Sequence, residues 1–176
     1  DRVSHASMPI GAYSEKHIMP ENKLVPVPDG VSDEVASCVT LKGITAEYLL
    51  HRAYPLKKGD KVLYHAAAGA LGQILCPWAN SIGAEIIGTV GSKEKEEIAK
   101  KNGCHHVINY TDKDFVEEVE KIVGKNRIDV VYDGVGLKTF EGSIEVLKIR
   151  GMMVAFGNAS GYVDTIDVKK HINAKG

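Results

Sequence analysis

The run Lys61-Val62-Leu63-Tyr64-His65-Ala66-Ala67-Ala68-Gly69-Ala70-Leu71-Gly72 constrains the fold most, because it reads as a buried strand turning on small residues into a helix. Such a turn suits a phosphate. A helix N-terminus leaves its first N–H groups unpaired and carries partial positive charge, so it attracts an anion wherever no side chain blocks the approach. Ala67, Gly69 and Gly72 take the glycine positions of a G-x-G-x-x-G fingerprint, with alanine replacing the first. Small residues also gather wherever a helix packs closely on a sheet, so the surroundings must decide.

Upstream, Gly59-Asp60 signals a turn before the apolar run Val62-Leu63-Tyr64. Downstream, Leu71, Ile74, Leu75, Trp78, Ala79 and Ile82 recur at helical spacing, and Gly83 supplies a stop. The next strand is Glu85-Ile86-Ile87-Gly88-Thr89-Val90, followed by Gly91-Ser92-Lys93-Glu94-Lys95. An NAD-preferring site would carry Asp or Glu there against the ribose 2′-OH. A hydroxyl and an ammonium would instead attract the extra phosphate of NADP, which makes NADPH the favoured cofactor. The mixed charges from Lys93 to Glu97 also suit a solvated helix start.

The alternation continues with strands expected at His106–Asn109, Ile128–Tyr132 and Met152–Phe156. Phe115, Val116, Val119, Ile122 and Val123 mark one intervening helix ended by Gly124, and Phe140, Ile144 and Leu147 another ended near Gly151. Five strands with such crossovers predict an α/β fold, a Rossmann-type doubly wound parallel sheet whose ligand lies beyond the strands' carboxyl ends.

At 176 residues and 44% hydrophobic content, the chain can bury a real core. A formal charge of −1 gives no general drive toward nucleic acid or anionic membrane, and no membrane span or signal peptide is visible, so a cytoplasmic location is expected. Cys38, Cys76 and Cys104 lack metal or disulfide spacing and read as small buried residues. His105 and His106 are strand neighbours pointing to opposite faces, while His65 is expected to be packed and hydrogen-bonded rather than catalytic. No metal site is expected. The first forty residues, punctuated by Pro9, Pro20, Pro26 and Pro28, suggest β-structure such as Ala12–Glu15 and Lys23–Val27 that cannot close its own core. A helix is expected around Ala46 to His51, and the domain boundary near Thr40, giving residues 1–40 and 41–176.

Several blocks in order carry a family resemblance: Gly11–Glu15, Leu24–Val31, Lys42–Ala46, His65–Gly69, Gly88–Val90, His106–Tyr110, Val130–Asp133, Gly151–Asn158 and Asn173–Gly176. In these the chain resembles the zinc-independent quinone oxidoreductases of the medium-chain dehydrogenase/reductase superfamily. The resemblance implies a two-domain, usually dimeric enzyme in which NADPH gives a hydride to a quinone or another electron-poor conjugated carbonyl. By the same resemblance, Thr45 would approach the nicotinamide, and Ala68, Gly69, Ala70 and Leu71 would border the pyrophosphate. Gly91, Ser92, Lys95 and Tyr110 would surround the 2′-phosphate, Gly134 would lie beside the adenosine, and Phe156, Gly157 and Asn158 would pass close to the nicotinamide or its ribose.

Three residues depart from the family pattern. Ala70 and Gly134 replace a usual glycine and serine, and Pro77 stands inside a helix it should kink. Relative to the family, the chain also lacks most of an N-terminal catalytic domain, leaving a β-rich remnant of a GroES-like domain, and a C-terminal segment holding the last sheet strand. Both ends read as cut points, and the fragment by itself is expected to reduce quinone poorly. An enal or enoyl reductase on the same scaffold is a second reading. A structural or RNA-binding role is a third, against which the balanced charge argues.

Overall fold

The computed structural model describes residues 1–172, so the block Asn173–Gly176 lies outside the described residues. The chain divides into two compact units, Asp1–Thr45 and a larger one from Ala46 onward. In the first, β1 (Val3–Ser4) pairs antiparallel with β2 (Val25–Pro26), and a 3₁₀ turn occupies Glu21–Lys23. The expected strand at Ala12–Glu15 is absent, and helix α1 (Asp33–Glu47) begins well before Ala46. Ser32 caps it, its hydroxyl accepting from the Val35 N–H at 3.3 Å, with Asp33 and Glu34 in the first turn complementing the dipole. Cys38 is exposed on α1, unlike the buried Cys76 and Cys104. The expectation of three buried thiols is corrected there. A π-helical turn follows over Tyr48–Ala53.

The second unit is built on strands β3 (Lys61–His65), β4 (Glu85–Val90), β5 (His106–Asn109), β6 (Ile128–Asp133) and β7 (Leu147–Ala155). They form one parallel sheet in the order β5-β4-β3-β6-β7. Between them run α2 (Gly72–Ile82), α3 (Lys93–Lys101), α4 (Phe115–Val123) and α5 (Phe140–Val146). This is the doubly wound arrangement, and the chain reverses direction across the sheet between β3 and β6.

Alternation along the strands divides the core. Val62, Tyr64, Ile86, Val130 and Tyr132 face Leu49, Leu50 and α2, while Leu63, Ile87, Ile108, Ile128 and Val131 face α4 and α5. Fully burying one such Leu or Ile contributes about 2 kcal/mol. Buried Tyr132 donates its hydroxyl to the Leu49 carbonyl at 3.1 Å, fixing the π-helical turn to the sheet.

Two boundaries differ from the sequence pattern. Helix α5 stops at Val146, and Leu147 already belongs to β7, pairing with Ile128 before an irregularity that next pairs Met152 with Val130. Arg150 takes a left-handed φ of 62° in that irregularity, and the Lys148 ammonium reaches the Asp129 carboxylate. Leu147 therefore continued the helical spacing of Phe140 and Ile144 while lying in a strand. Pro77 sits on the exposed side of α2, which runs unbroken through it to a left-handed Gly83. Its ring leaves the Gln73 carbonyl without a helical donor.

Candidate functional site

The carboxyl ends of β3, β4 and β6 meet at the point where the winding reverses, and the turns leaving them shape the site. Ala66, the first residue beyond β3, adopts a left-handed φ of 62°, which for a residue with a Cβ is a strained conformation. Two hydrogen bonds hold the strain, from the Ala67 N–H to the Thr89 carbonyl at 3.0 Å and from the Gly69 N–H to the Ala66 carbonyl at 2.8 Å. The turn delivers the chain to α2, where no side chain caps the first turn. Among the described residues no backbone carbonyl takes the N–H of Ala70 or Leu71. Ala70 is exposed, so its methyl meets no packed neighbour.

The glycines here answer to packing. A Cβ on Gly72 would stand 2.2 Å from the Ala67 carbonyl oxygen, and one on Gly88 would stand 2.6 Å from the Ala67 methyl and 2.8 Å from the Cys104 thiol. Ala67 is thus enclosed by α2 and β4. Close packing and an open helix entry are one construction, in which small residues let α2 approach the sheet while the amides of Ala70 and Leu71 just before it donate to no backbone carbonyl among the described residues.

A small cavity of about 110 Å³ is lined by Ala66, Ala68, Gly69, Val90, Gly91, Lys95 and Tyr110, so the structure brings together most residues expected around a pyrophosphate and a 2′-phosphate. A Cβ on Gly91 would come within 2.5 Å of the Tyr110 hydroxyl, so glycine keeps that phenol beside the turn. Lys95 has no carboxylate partner among the described residues. Ser92 caps α3, accepting from the Lys95 N–H at 3.4 Å. Glu94 is held below the usual carboxylate range by a bond from its own backbone N–H and another from the Ser92 hydroxyl. The sequence reading missed this acidic neighbour, whose signal was the Ser-x-Glu spacing at the start of α3.

After β6, the Asp133 carboxylate shapes the second turn. Its Oδ1 accepts from the N–H groups of Val135 and Gly136 at 2.7 and 2.9 Å, and its Oδ2 from the hydroxyls of Thr139 and Ser143 at 2.7 and 3.0 Å. Segment 156–161 is stitched onto this turn by bonds from Phe156 N to Asp133 O at 2.9 Å, Ala159 N to Gly134 O at 3.2 Å and Ser160 N to Val135 O at 2.7 Å. The Phe156 ring lies parallel to Tyr64 at 6.5 Å and would touch a Cβ on Gly134 at 2.9 Å. A serine at 134 would press on the end of that ring, which would have to turn to admit it.

Gly157 and Asn158 line a cavity of about 510 Å³ with Asp133 and Tyr162, while Val135, Lys138, Ala159 and Ser160 line another of about 610 Å³ with Tyr110. Lys138 and Ser160 line this cavity, and no sequence motif singles them out. Thr45 closes the first unit, its hydroxyl donating to the Leu41 carbonyl of its own helix at 2.7 Å.

His65 is buried and bonded at both ring nitrogens, to the Thr89 hydroxyl and the Ser143 hydroxyl at 2.9 Å each. Burial pushes its pKa down to about 4 against the opposing pull of Asp133, so the ring is neutral at pH 7. Among the described residues no three His, Cys, Asp or Glu stand together to hold a metal ion, and no helix is long and apolar enough to cross a membrane.

Residues 70–175 match the family described as zinc-binding dehydrogenase. A 2-haloacrylate reductase of Burkholderia sp is 47% identical over 100% of this chain and 54% of its own length. Quinone oxidoreductase 1 of Escherichia coli (strain K12) is 44% identical over 96% of this chain and 51% of its own length. The crystal structure of Escherichia coli quinone oxidoreductase complexed with NADPH superimposes with a TM-score of 0.95 at 44% identity, covering 100% of this chain and 54% of that one. The chain spans about half the length of the curated relatives it matches.

Proposed function

The chain belongs to the zinc-binding dehydrogenase family, in the quinone oxidoreductase branch of the medium-chain dehydrogenase/reductase superfamily, and on that premise we propose that it carries the NADPH site of a quinone reductase. The carrying observation is the Lys95 ammonium without a carboxylate partner, beside Tyr110 and Gly91 at the end of β4, where a carboxylate would repel a 2′-phosphate. The bare amides of Ala70 and Leu71, and the space that a Cβ on Gly91 would fill, fit a dinucleotide.

In this reading the amides of Ala70 and Leu71 bind the pyrophosphate, which Ala68 and Gly69 border. Ser92, Lys95 and Tyr110 hold the 2′-phosphate, and Gly134 borders the adenosine. Phe156, Gly157 and Asn158 orient the nicotinamide ribose. When bound, NADPH supplies the hydride that reduces a quinone, and the protein's part is orientation without zinc. The whole protein is proposed to act in the cytoplasm as a homodimer. The 47% identity to a 2-haloacrylate reductase supports a second acceptor class, conjugated acids and carbonyls, on the same hydride site.

Fluorescence titration with NADPH and NADH tests the cofactor. NADPH should bind more tightly, and Lys95→Ala should remove about tenfold of that preference while leaving NADH unchanged. Equal binding of both, indifferent to Lys95→Ala, would refute the site. Turnover of a quinone against a 2-haloacrylate in the whole protein separates the two acceptor classes.

A further inference from the structure

The strand register sets Thr89 beside His65, and Tyr64 beside Tyr132, which puts His65 and Asp133 at matching positions on adjacent strands. The side chains of Thr89, His65 and Asp133 are all buried, at the strand ends from which the turns of the site leave. Proton accounting fixes the direction of the bonds joining them. The Ser143 hydroxyl has one hydrogen and gives it to Asp133, so its oxygen accepts from His65 Nε2. The bare Nδ1 then accepts from the Thr89 hydroxyl. The relay runs Thr89 to His65 to Ser143 to Asp133, ending on a carboxylate that also holds the Val135 and Gly136 amides. At its other end, Thr89 receives the Ala67 N–H on its carbonyl, and Ala66, next to His65, carries the left-handed φ.

We propose that His65 is a positioning residue for the nucleotide site, locking the strained turn at Ala66 and the Asp133 turn into one geometry so that both present their backbone to the same ligand. An apolar side chain would fill the same volume but leave Ser143 and Thr89 without their shared partner, and the two turns would then move independently. The proposal rests on the nucleotide reading above for its ligand, but not for its structural content.

The test compares His65→Leu, His65→Gln and Ser143→Ala with the parent protein, using two probes. NADPH spans both turns, whereas 2′-AMP keeps the adenosine and the 2′-phosphate but brings no phosphate to the turn at Ala66. His65→Leu should weaken NADPH at least about tenfold and 2′-AMP by less than about twofold, with His65→Gln, whose amide can still donate to Ser143, recovering most of the loss. Amide hydrogen exchange supplies a readout without ligand, and Ala67, Val135 and Gly136 should exchange faster together in His65→Leu and in the milder Ser143→Ala. Unchanged NADPH affinity, equal weakening of both probes, or faster exchange in one turn only would overturn the proposal. A parent protein that takes up no NADPH would instead overturn the nucleotide reading, with the exchange comparison still deciding the role of His65.

Discussion

His65 Nε2 and Asp133 Oδ2 lie 3.9 Å apart with both side chains buried, yet they form no ion pair, because the Ser143 hydroxyl bridges them and the imidazole stays neutral. A buried carboxylate is tolerable when donors surround it, and here two amides and two hydroxyls do so. Acid sensitivity follows from the ring. Its folded pKa of about 4 lies below the unfolded value of 6.5, so unfolding takes up a proton between those limits. The stability that His65 contributes is complete above pH 6.5 and is lost as pH falls toward about 4. The loss amounts to about 3 kcal/mol. Denaturant melts across this range should show that slope, and His65→Gln should flatten it.

Gly91→Ala should separate binding from folding. Its Cβ would meet only the end of the Tyr110 side chain, which is half exposed and can swing away. Stability should stay within about 0.5 kcal/mol, while the NADPH-to-NADH affinity ratio falls about tenfold as the phenol leaves the cavity. Thermal melts and paired titrations measure both.

Gly72→Ala should do the opposite. The new methyl would press on the Ala67 carbonyl at 2.2 Å, and backbone cannot swing aside. A loss of about 3 kcal/mol in urea unfolding is expected, together with weaker NADPH binding because the strained turn shifts.

Pro77→Ala should stabilise the protein. It returns an N–H to the Gln73 carbonyl at an exposed position of α2, so a gain of about 2 kcal/mol is expected from the urea midpoint. Cofactor affinity should not change.

Much of this architecture was legible because parallel strands buried on both faces write themselves as apolar runs, and the turns at their ends as small residues. Helix α1 was less so. Its apolar residues Val35, Val39, Leu41 and Ile44 are all exposed, so no buried stripe marks it, and the Ser32 cap was its clearest signal. Leu147 kept helical spacing across a helix-to-strand boundary. The buried relay left no local trace, because Thr89, His65, Ser143 and Asp133 come from separate elements that only the strand order brings together. The contact awaiting a serine at 134 likewise depends on Phe156, which lies far along the chain.

The enclosure of Ala67 between Gly72 and Gly88 has an evolutionary reading. Both glycines already sit at the lower limit of residue size, so neither can shrink to make room for a neighbour that grows. Only Ala67 has a methyl to surrender. Sequence drift at these positions is therefore ordered: enlargement at 88 becomes tolerable only after Ala67 has become glycine, and even then the Cys104 thiol must give way. Lineages that change 88 should carry compensating changes at 67 and 104, whereas 72, opposed by main chain, should have no such path.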